Sequence, residues 1–167
     1  MSDVSRSVKE GLGFGLIAGA VFAIAQVIAT VIAGDSAILA FRRLASVLLG
    51  PDALAVTPAA TAVGVAIVGH LFLSAMYGLF YGIYSSALTL PTRRSLGRQA
   101  VIGPIYGVML WAVNFQVFAR YRYPWLLALP QAPLVALHAV FFGLPLGLLY
   151  ASAERRVVPD QPPFAYP

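Results

Sequence analysis

Six polar side chains lie inside stretches of sequence that are otherwise apolar, and these are the residues with which the chain could do chemistry. Imidazole and amide groups both donate and accept hydrogen bonds, and imidazole also ligates metals. Where an apolar run crosses a bilayer, such groups normally face the protein interior and mark binding sites or ion pathways. The candidate cluster, for a ligand or for polar contacts between helices, is Gln26, His70, Ser74, Asn114, Gln116 and His138.

Several kinds of chemistry fit these residue types, and the sequence leaves them open. The plainest interpretation is that the groups hydrogen-bond between helices and hold the packing together. Two inward-facing imidazoles are also the minimum for haem b, with its iron ligated by His70 and His138. A quinone, a lipid or another apolar ligand held by imidazole and amide groups is a further alternative, as is a transport pathway.

Other chemistry is excluded by what the sequence lacks. The chain has no cysteine, so it has no thiolate nucleophile, thiolate metal site or disulfide. Two isolated histidines do not supply the known ligand sets of zinc hydrolases. No phosphate-binding loop or hydrolase motif is present. We therefore expect no enzyme activity, no catalytic residues, and no metal or cofactor other than the alternative of haem.

The elements that position the cluster follow from composition. The chain has 167 residues, of which 60% are hydrophobic and 10% charged, and its mean hydropathy is +0.84. Soluble domains carry about 25% charged residues. Four uncharged runs exceed the roughly 20 residues that span a bilayer. The sequence predicts an all-α integral membrane protein, a bundle of four transmembrane helices at residues 11–34, 60–89, 98–119 and 131–152.

The segments outside the predicted spans differ from one another in composition and in predicted structure. In residues 35–57, Ile38, Phe41, Leu44 and Leu48 recur at helical spacing beside two arginines. This pattern predicts a short amphipathic helix and a loop at the outer interface, or alternatively a helix packed across the mouth of the bundle. The other predicted segments are a cytoplasmic N-terminus at 1–10, a cytoplasmic loop at 90–97, an outer loop at 120–130 and a cytoplasmic Pro-rich tail at 153–167.

Basic residues near the span ends predict the orientation. With the N-terminus inside, seven basic residues lie on the cytoplasmic side and four on the outer side. This excess favours cytoplasmic termini, and the layout is similar to that of many small multi-pass proteins of the bacterial inner membrane. The candidate cluster then lies in the outer half of the bilayer. No acidic residue falls inside a predicted span, which argues against ion-coupled transport.

Glycines four residues apart recur in all four predicted helices, and this spacing lets helix backbones approach closely. Gln26 follows one such pair by seven residues, and Asn114 follows another by the same distance. The pattern suggests two tandem helical hairpins that form parallel repeats. The predicted packing residues are Gly15, Gly19, Gly78, Gly82, Gly103, Gly107, Gly143 and Gly147.

For function, the sequence favours a structural or accessory subunit of a larger membrane complex, such as a respiratory or photosynthetic one. The chain is small and has almost no domain outside the membrane. The alternatives are a binder of haem b, quinone or another apolar ligand, and a small-solute transporter acting as an oligomer. The expected partners are the lipid bilayer and other membrane subunits or further copies of the chain. We expect no nucleic acid as a partner.

Overall fold

The protein is a bundle of four long helices with two short helices between them. The computed structural model describes residues 3–156. The long helices are α1 (Asp3–Ile32), α3 (Ala59–Ser86), α5 (Leu96–Arg122) and α6 (Gln131–Arg156). The short ones are α2 (Ala37–Leu49) and α4 (Leu90–Arg94). Each long helix is apolar enough and long enough to cross a bilayer, which confirms the prediction of a four-helix, multi-pass membrane protein.

The helices at the chain ends extend beyond the predicted spans. α1 begins at Asp3 and α6 continues to Arg156, and the two extensions contact each other. Arg6 Nη2 lies 2.7 Å from Glu154 Oε1. Glu10 and Glu154 therefore lie in these helical extensions, outside the predicted spans at 11–34 and 131–152. The predicted Pro-rich tail lies outside the described residues from position 157 onward.

The predicted loops also contain structure. The segment 90–97 includes α4 and the start of α5, because Ser95 accepts a hydrogen bond from the backbone N–H of Arg98 and caps α5. The segment 120–130 includes the last residues of α5 and a 3₁₀ turn at Pro124–Ala128. Both connections are thus short and partly helical, as is usual between the helices of a bundle.

Glycines allow the helices to pack in two close pairs. A methyl group on Gly15 of α1 would collide with the backbone carbonyl of Ser74 in α3, and one on Gly103 of α5 with that of Gly143 in α6. All eight predicted packing glycines lie at such contacts. Small residues bring helix backbones together where lipid removes the hydrophobic drive for association. α1 pairs closely with α3, and α5 pairs closely with α6.

The two pairs meet along α1 and α6, whereas α3 and α5 stay apart. Side chains bridge this open seam. The Tyr106 hydroxyl donates to the Tyr77 carbonyl oxygen over 2.7 Å, and the Tyr77 hydroxyl donates to Asn114 Oδ1 over 2.7 Å. Tyr81, which is fully buried, donates to the Gln99 side chain. The bundle is therefore closed on three sides by backbone contact and on the fourth only by side chains.

Helix α2 covers one end of the bundle, which we call the α2 end. It packs against α3 and α1. The Trp125 indole N–H donates to Ser46 Oγ over 3.0 Å, and this bond joins α2 to the connection between α5 and α6. Arg42 Nη1 donates to the carbonyl oxygens of Ala53 and Thr57 and holds the loop after α2. The opposite end, where α1 begins and α6 ends, is the termini end.

Candidate functional site

A cavity of about 110 Å³ lies between the four long helices at the α2 end. Five of the six residues of the predicted cluster line it, and every long helix contributes at least one. The structure brings together Gln26, His70, Ser74, Asn114 and His138. Gln116 is not among them, because its side chain accepts a hydrogen bond from Arg120 Nη2 over 2.9 Å on another face of α5. A shift of two residues from Asn114 turns a helical side chain to roughly the opposite side.

The proton position on His70 follows from its partner. Its Nε2 lies 2.8 Å from the carbonyl oxygen of Gly19 in α1. A carbonyl only accepts hydrogen bonds, so Nε2 carries the proton and, in the neutral ring, Nδ1 is the acceptor. The ring stacks on Phe22, with centroids 5.7 Å apart and planes 18° apart. His70 is therefore held by a short hydrogen bond to Gly19, a longer contact of the same Nε2 with Ser74 Oγ at 3.4 Å, and one stacked ring.

His138 is protonated on the other nitrogen. Its Nδ1 lies 2.7 Å from the carbonyl oxygen of Leu134 in the preceding turn of α6, so Nδ1 donates and Nε2 keeps its lone pair. Phe22 and Phe115 pack edge-on against the ring, with centroids 4.8 Å and 5.9 Å away. Within residues 3–156 no protein group donates to this Nε2.

Two short π-helical segments carry the site residues of α5 and α6. Asn114 lies in Ala112–Phe118 and His138 lies in Leu137–Gly143. A π segment shifts the backbone hydrogen bonds by one residue and widens the helix, and such segments recur at functional sites. The widening displaces the side chains of α5 and α6 where they line the cavity.

Several polar atoms of the cavity have unused hydrogen-bonding capacity. Gln26 Oε1 is buried and has no donor within the described part of the chain. Asn114 Oδ1 accepts from Tyr77, which leaves the amide NH₂ of Asn114 as a donor. Arg43 of α2 lines the cavity and pairs with Asp35 over 2.7 Å. The site thus offers two acceptors, Gln26 Oε1 and His138 Nε2, beside amide and guanidinium donors.

Sequence reasoning missed three residues that shape the site: Phe22, Arg43 and Tyr77. A signal existed for Tyr77, because it lies seven residues after His70 and therefore on the same face of α3. Phe22 likewise precedes Gln26 by one helical turn. Arg43 had no such signal, since the path of α2 over the cavity depends on its tertiary contacts.

The residues present do not fit haem or a metal ion. A cavity of 110 Å³ is smaller than the roughly 150 Å³ cavity that holds one benzene ring, and a haem is several rings wide. The Nε2 of His70 is also engaged by the Gly19 carbonyl. In the part of the chain that the structure describes, no three His, Asp or Glu side chains converge on a metal-sized site.

The chain matches no protein-family model, and no curated protein or solved structure is significantly similar to it.

Proposed function

We propose that this protein binds a lipid-soluble molecule with a hydroxylated aromatic ring, the quinol class, in the cavity at the α2 end. One observation carries the proposal: a cavity between all four long helices is lined by Gln26, whose buried Oε1 has no donor in the described residues, and by His138, whose Nδ1 takes up the Leu134 carbonyl and leaves Nε2 as an acceptor. A hydroxyl group is the ligand group that satisfies them. Gln26 Oε1 and His138 Nε2 would each accept a hydrogen bond from a separate ligand hydroxyl, or both would accept from the same hydroxyl.

The walls of the cavity favour a single flat ring. Phe22, Phe115 and Phe142 line it together with leucines, and aromatic rings pack well against other rings in offset or edge-on arrangements. The volume of about 110 Å³ is below that of the roughly 150 Å³ cavity that holds benzene, so a single ring would fill the cavity and its walls would have to move slightly. The NH₂ group of Asn114 and the guanidinium of Arg43 would donate to a ring oxygen that Gln26 and His138 leave unbonded.

A role in packing alone explains the site less well. Packing contacts between polar groups gain stability when every group is paired, and a buried acceptor left without a donor costs about 1–3 kcal/mol. Gln26 Oε1 is such an acceptor. A ligand hydroxyl would remove this cost, so the unpaired oxygen supports binding over simple helix packing.

A solute pathway is also less well supported by the cavity. Tyr81 and Tyr150 are almost completely buried between the cavity and the termini end, and their rings lie 5.2 Å apart. Together with Tyr106 they fill the bundle core. A solute would have to displace this layer, whereas a bound ligand would not.

The proposal extends to the setting of the protein. Quinols are substrates of energy-converting membrane complexes. We therefore propose that the protein is a quinol-binding accessory subunit of a respiratory or photosynthetic complex, which agrees with the role that the sequence favours. The excess of basic residues at the termini end supports cytoplasmic termini and an α2 end that faces outward. The bacterial inner membrane stays the predicted location.

We also propose that the bundle arose from two tandem hairpins. The α1–α3 pair and the α5–α6 pair each have glycines four residues apart at their closest contacts. Gln26 and Asn114 follow their glycine pairs at the same distance, and both line the cavity. On this view α2 is an insertion into the first hairpin that came to cover the site.

Calorimetric titration of 4-ethylphenol, an air-stable ring with one hydroxyl, tests the proposal on protein in lipid nanodiscs, with empty nanodiscs as the blank. We expect saturable binding that Gln26→Leu and His138→Leu each weaken about five- to tenfold, the size of one lost hydrogen bond. Gln116→Leu is the matched control and should bind as the wild type does. The methyl ether of the probe should bind more weakly than the phenol. Heats no larger than those of empty nanodiscs would overturn the proposal.

A further inference from the structure

A groove runs along the open seam between α3 and α5. It encloses about 520 Å³, and its walls are almost wholly apolar. Phe80 and Met109 on its two sides are each 50% exposed on the outer surface of the bundle, which is the surface that faces lipid. The groove therefore opens sideways into the hydrocarbon of the membrane.

The groove and the cavity adjoin each other. Six residues line both: Val47, Leu73, Tyr77, Leu110, Asn114 and Tyr123. Tyr77 lies at the junction, where its hydroxyl bonds to Asn114 and its carbonyl accepts from Tyr106. No backbone of α3 or α5 separates the two spaces, because these helices are joined mainly by side chains. Side chains, Tyr77 and Asn114 among them, form the wall between the two spaces, so a molecule that occupies both has to displace side chains and no backbone.

We infer that the groove holds the single hydrocarbon chain of the ligand while its ring lies in the cavity, and that the ligand reaches the cavity from the bilayer through this seam. The inference rests on the proposed function. The cavity alone is too small for a lipid-soluble molecule with a long chain. The groove supplies a path for that chain back into hydrocarbon.

The groove accommodates the hydrocarbon chain of the ligand and adds little to the binding affinity. Lipid chains are as apolar as the groove, so moving a hydrocarbon tail from the bilayer into it gains little from the hydrophobic effect. What the groove provides is space for a tail that is attached to a ring inside the cavity. The expected ligand is therefore a ring with one chain.

Two probes and three variants test this inference. The probes are 4-ethylphenol and 4-nonylphenol, with affinities expressed per mole fraction in nanodisc lipid so that partitioning cancels. Val113→Trp fills the groove from the α5 side without touching the cavity. Val101→Trp is the matched control, since Val101 is on the same helix, is exposed and lines neither space. Met109→Trp is a second groove variant.

We expect the wild type and Val101→Trp to bind both probes. Val113→Trp and Met109→Trp should bind 4-nonylphenol about tenfold more weakly, since the chain would have to overpack against an indole, and should bind 4-ethylphenol as the wild type does. Retained binding of 4-ethylphenol shows that the variants fold. Equal binding of 4-nonylphenol by groove variants and wild type, or no binding of it by the wild type, overturns the inference alone. Failure of both probes on the wild type overturns the proposed function.

Discussion

His70 donates from its ring Nε2 to the backbone carbonyl oxygen of Gly19 over 2.8 Å, and this bond ties α3 to α1 beside the cavity. The contact depends on the glycine, because a methyl group at position 19 would collide with the side chain of Ser74, one turn from His70. The close approach of the two helices therefore also sets the tautomer of His70. Packing and site chemistry are coupled at this point.

The glycine contacts should be required for stability. Gly15→Ala places a methyl group against the backbone of α3, and overpacking of this kind costs about 1–3 kcal/mol. Gly13→Ala is the matched control, because no atom of another helix lies within 4 Å of its added methyl group. Thermal unfolding in mild detergent should show a lower midpoint for Gly15→Ala than for the wild type, and no loss for Gly13→Ala. Equal midpoints for the two variants would contradict the packing described for α1 and α3.

Gln26→Leu should stabilise the ligand-free protein while it weakens binding. The buried Gln26 Oε1 has no donor in the described residues, and removing an unsatisfied acceptor of this kind gains about 1 kcal/mol. The same substitution at Gln116, whose side chain bonds to Arg120, should give no such gain. Unfolding midpoints of the ligand-free variants are compared. A Gln26→Leu variant less stable than the wild type would indicate that the amide serves packing instead of a ligand.

The ion pairs Arg6–Glu154 and Arg43–Asp35 should contribute differently to the free energy of unfolding. Glu154 is 1% exposed and pairs with Arg6, whereas Asp35 is 40% exposed and pairs with Arg43, both over 2.7 Å. Glu154→Gln should cost about 3 kcal/mol, because guanidinium groups in a buried network lose their carboxylate. Asp35→Asn should cost less than about 1 kcal/mol. Similar losses in unfolding free energy for the two variants would show that burial does not set the difference.

Much of the fold was predictable because lipid imposes a simple rule on sequence. An apolar run long enough to span the bilayer must form a helix, because a helix is the only structure in which a single segment pairs its own backbone N–H and C=O groups in hydrocarbon. The helix ends were harder to place. α1 and α6 continue past the apolar runs because Arg6 and Glu154 attract each other across the bundle, and this contact cannot be read from either segment alone.

The site was predictable in its composition and not in its shape. Depth along each helix placed five polar residues at a common level, and four of them line one cavity together with Ser74. The π segments around Asn114 and His138 had no sequence signal, because the shift of backbone hydrogen bonds depends on packing between α5 and α6. Gln116 was misplaced for the related reason that depth alone does not fix which face of a helix a residue occupies.

Nitrogen-15 NMR of the two histidines tests the central claim most directly. The chain contains only two histidines, so selective labelling yields two pairs of ring signals, which His70→Gln assigns. In ligand-free protein we expect a protonated Nε2 in His70 and an unprotonated Nε2 in His138, as their carbonyl partners require. Addition of 4-ethylphenol should move the His138 Nε2 signal upfield as this nitrogen accepts the phenol hydroxyl. A His138 Nε2 signal that stays in place at saturating probe would contradict a ring hydroxyl bound at this site.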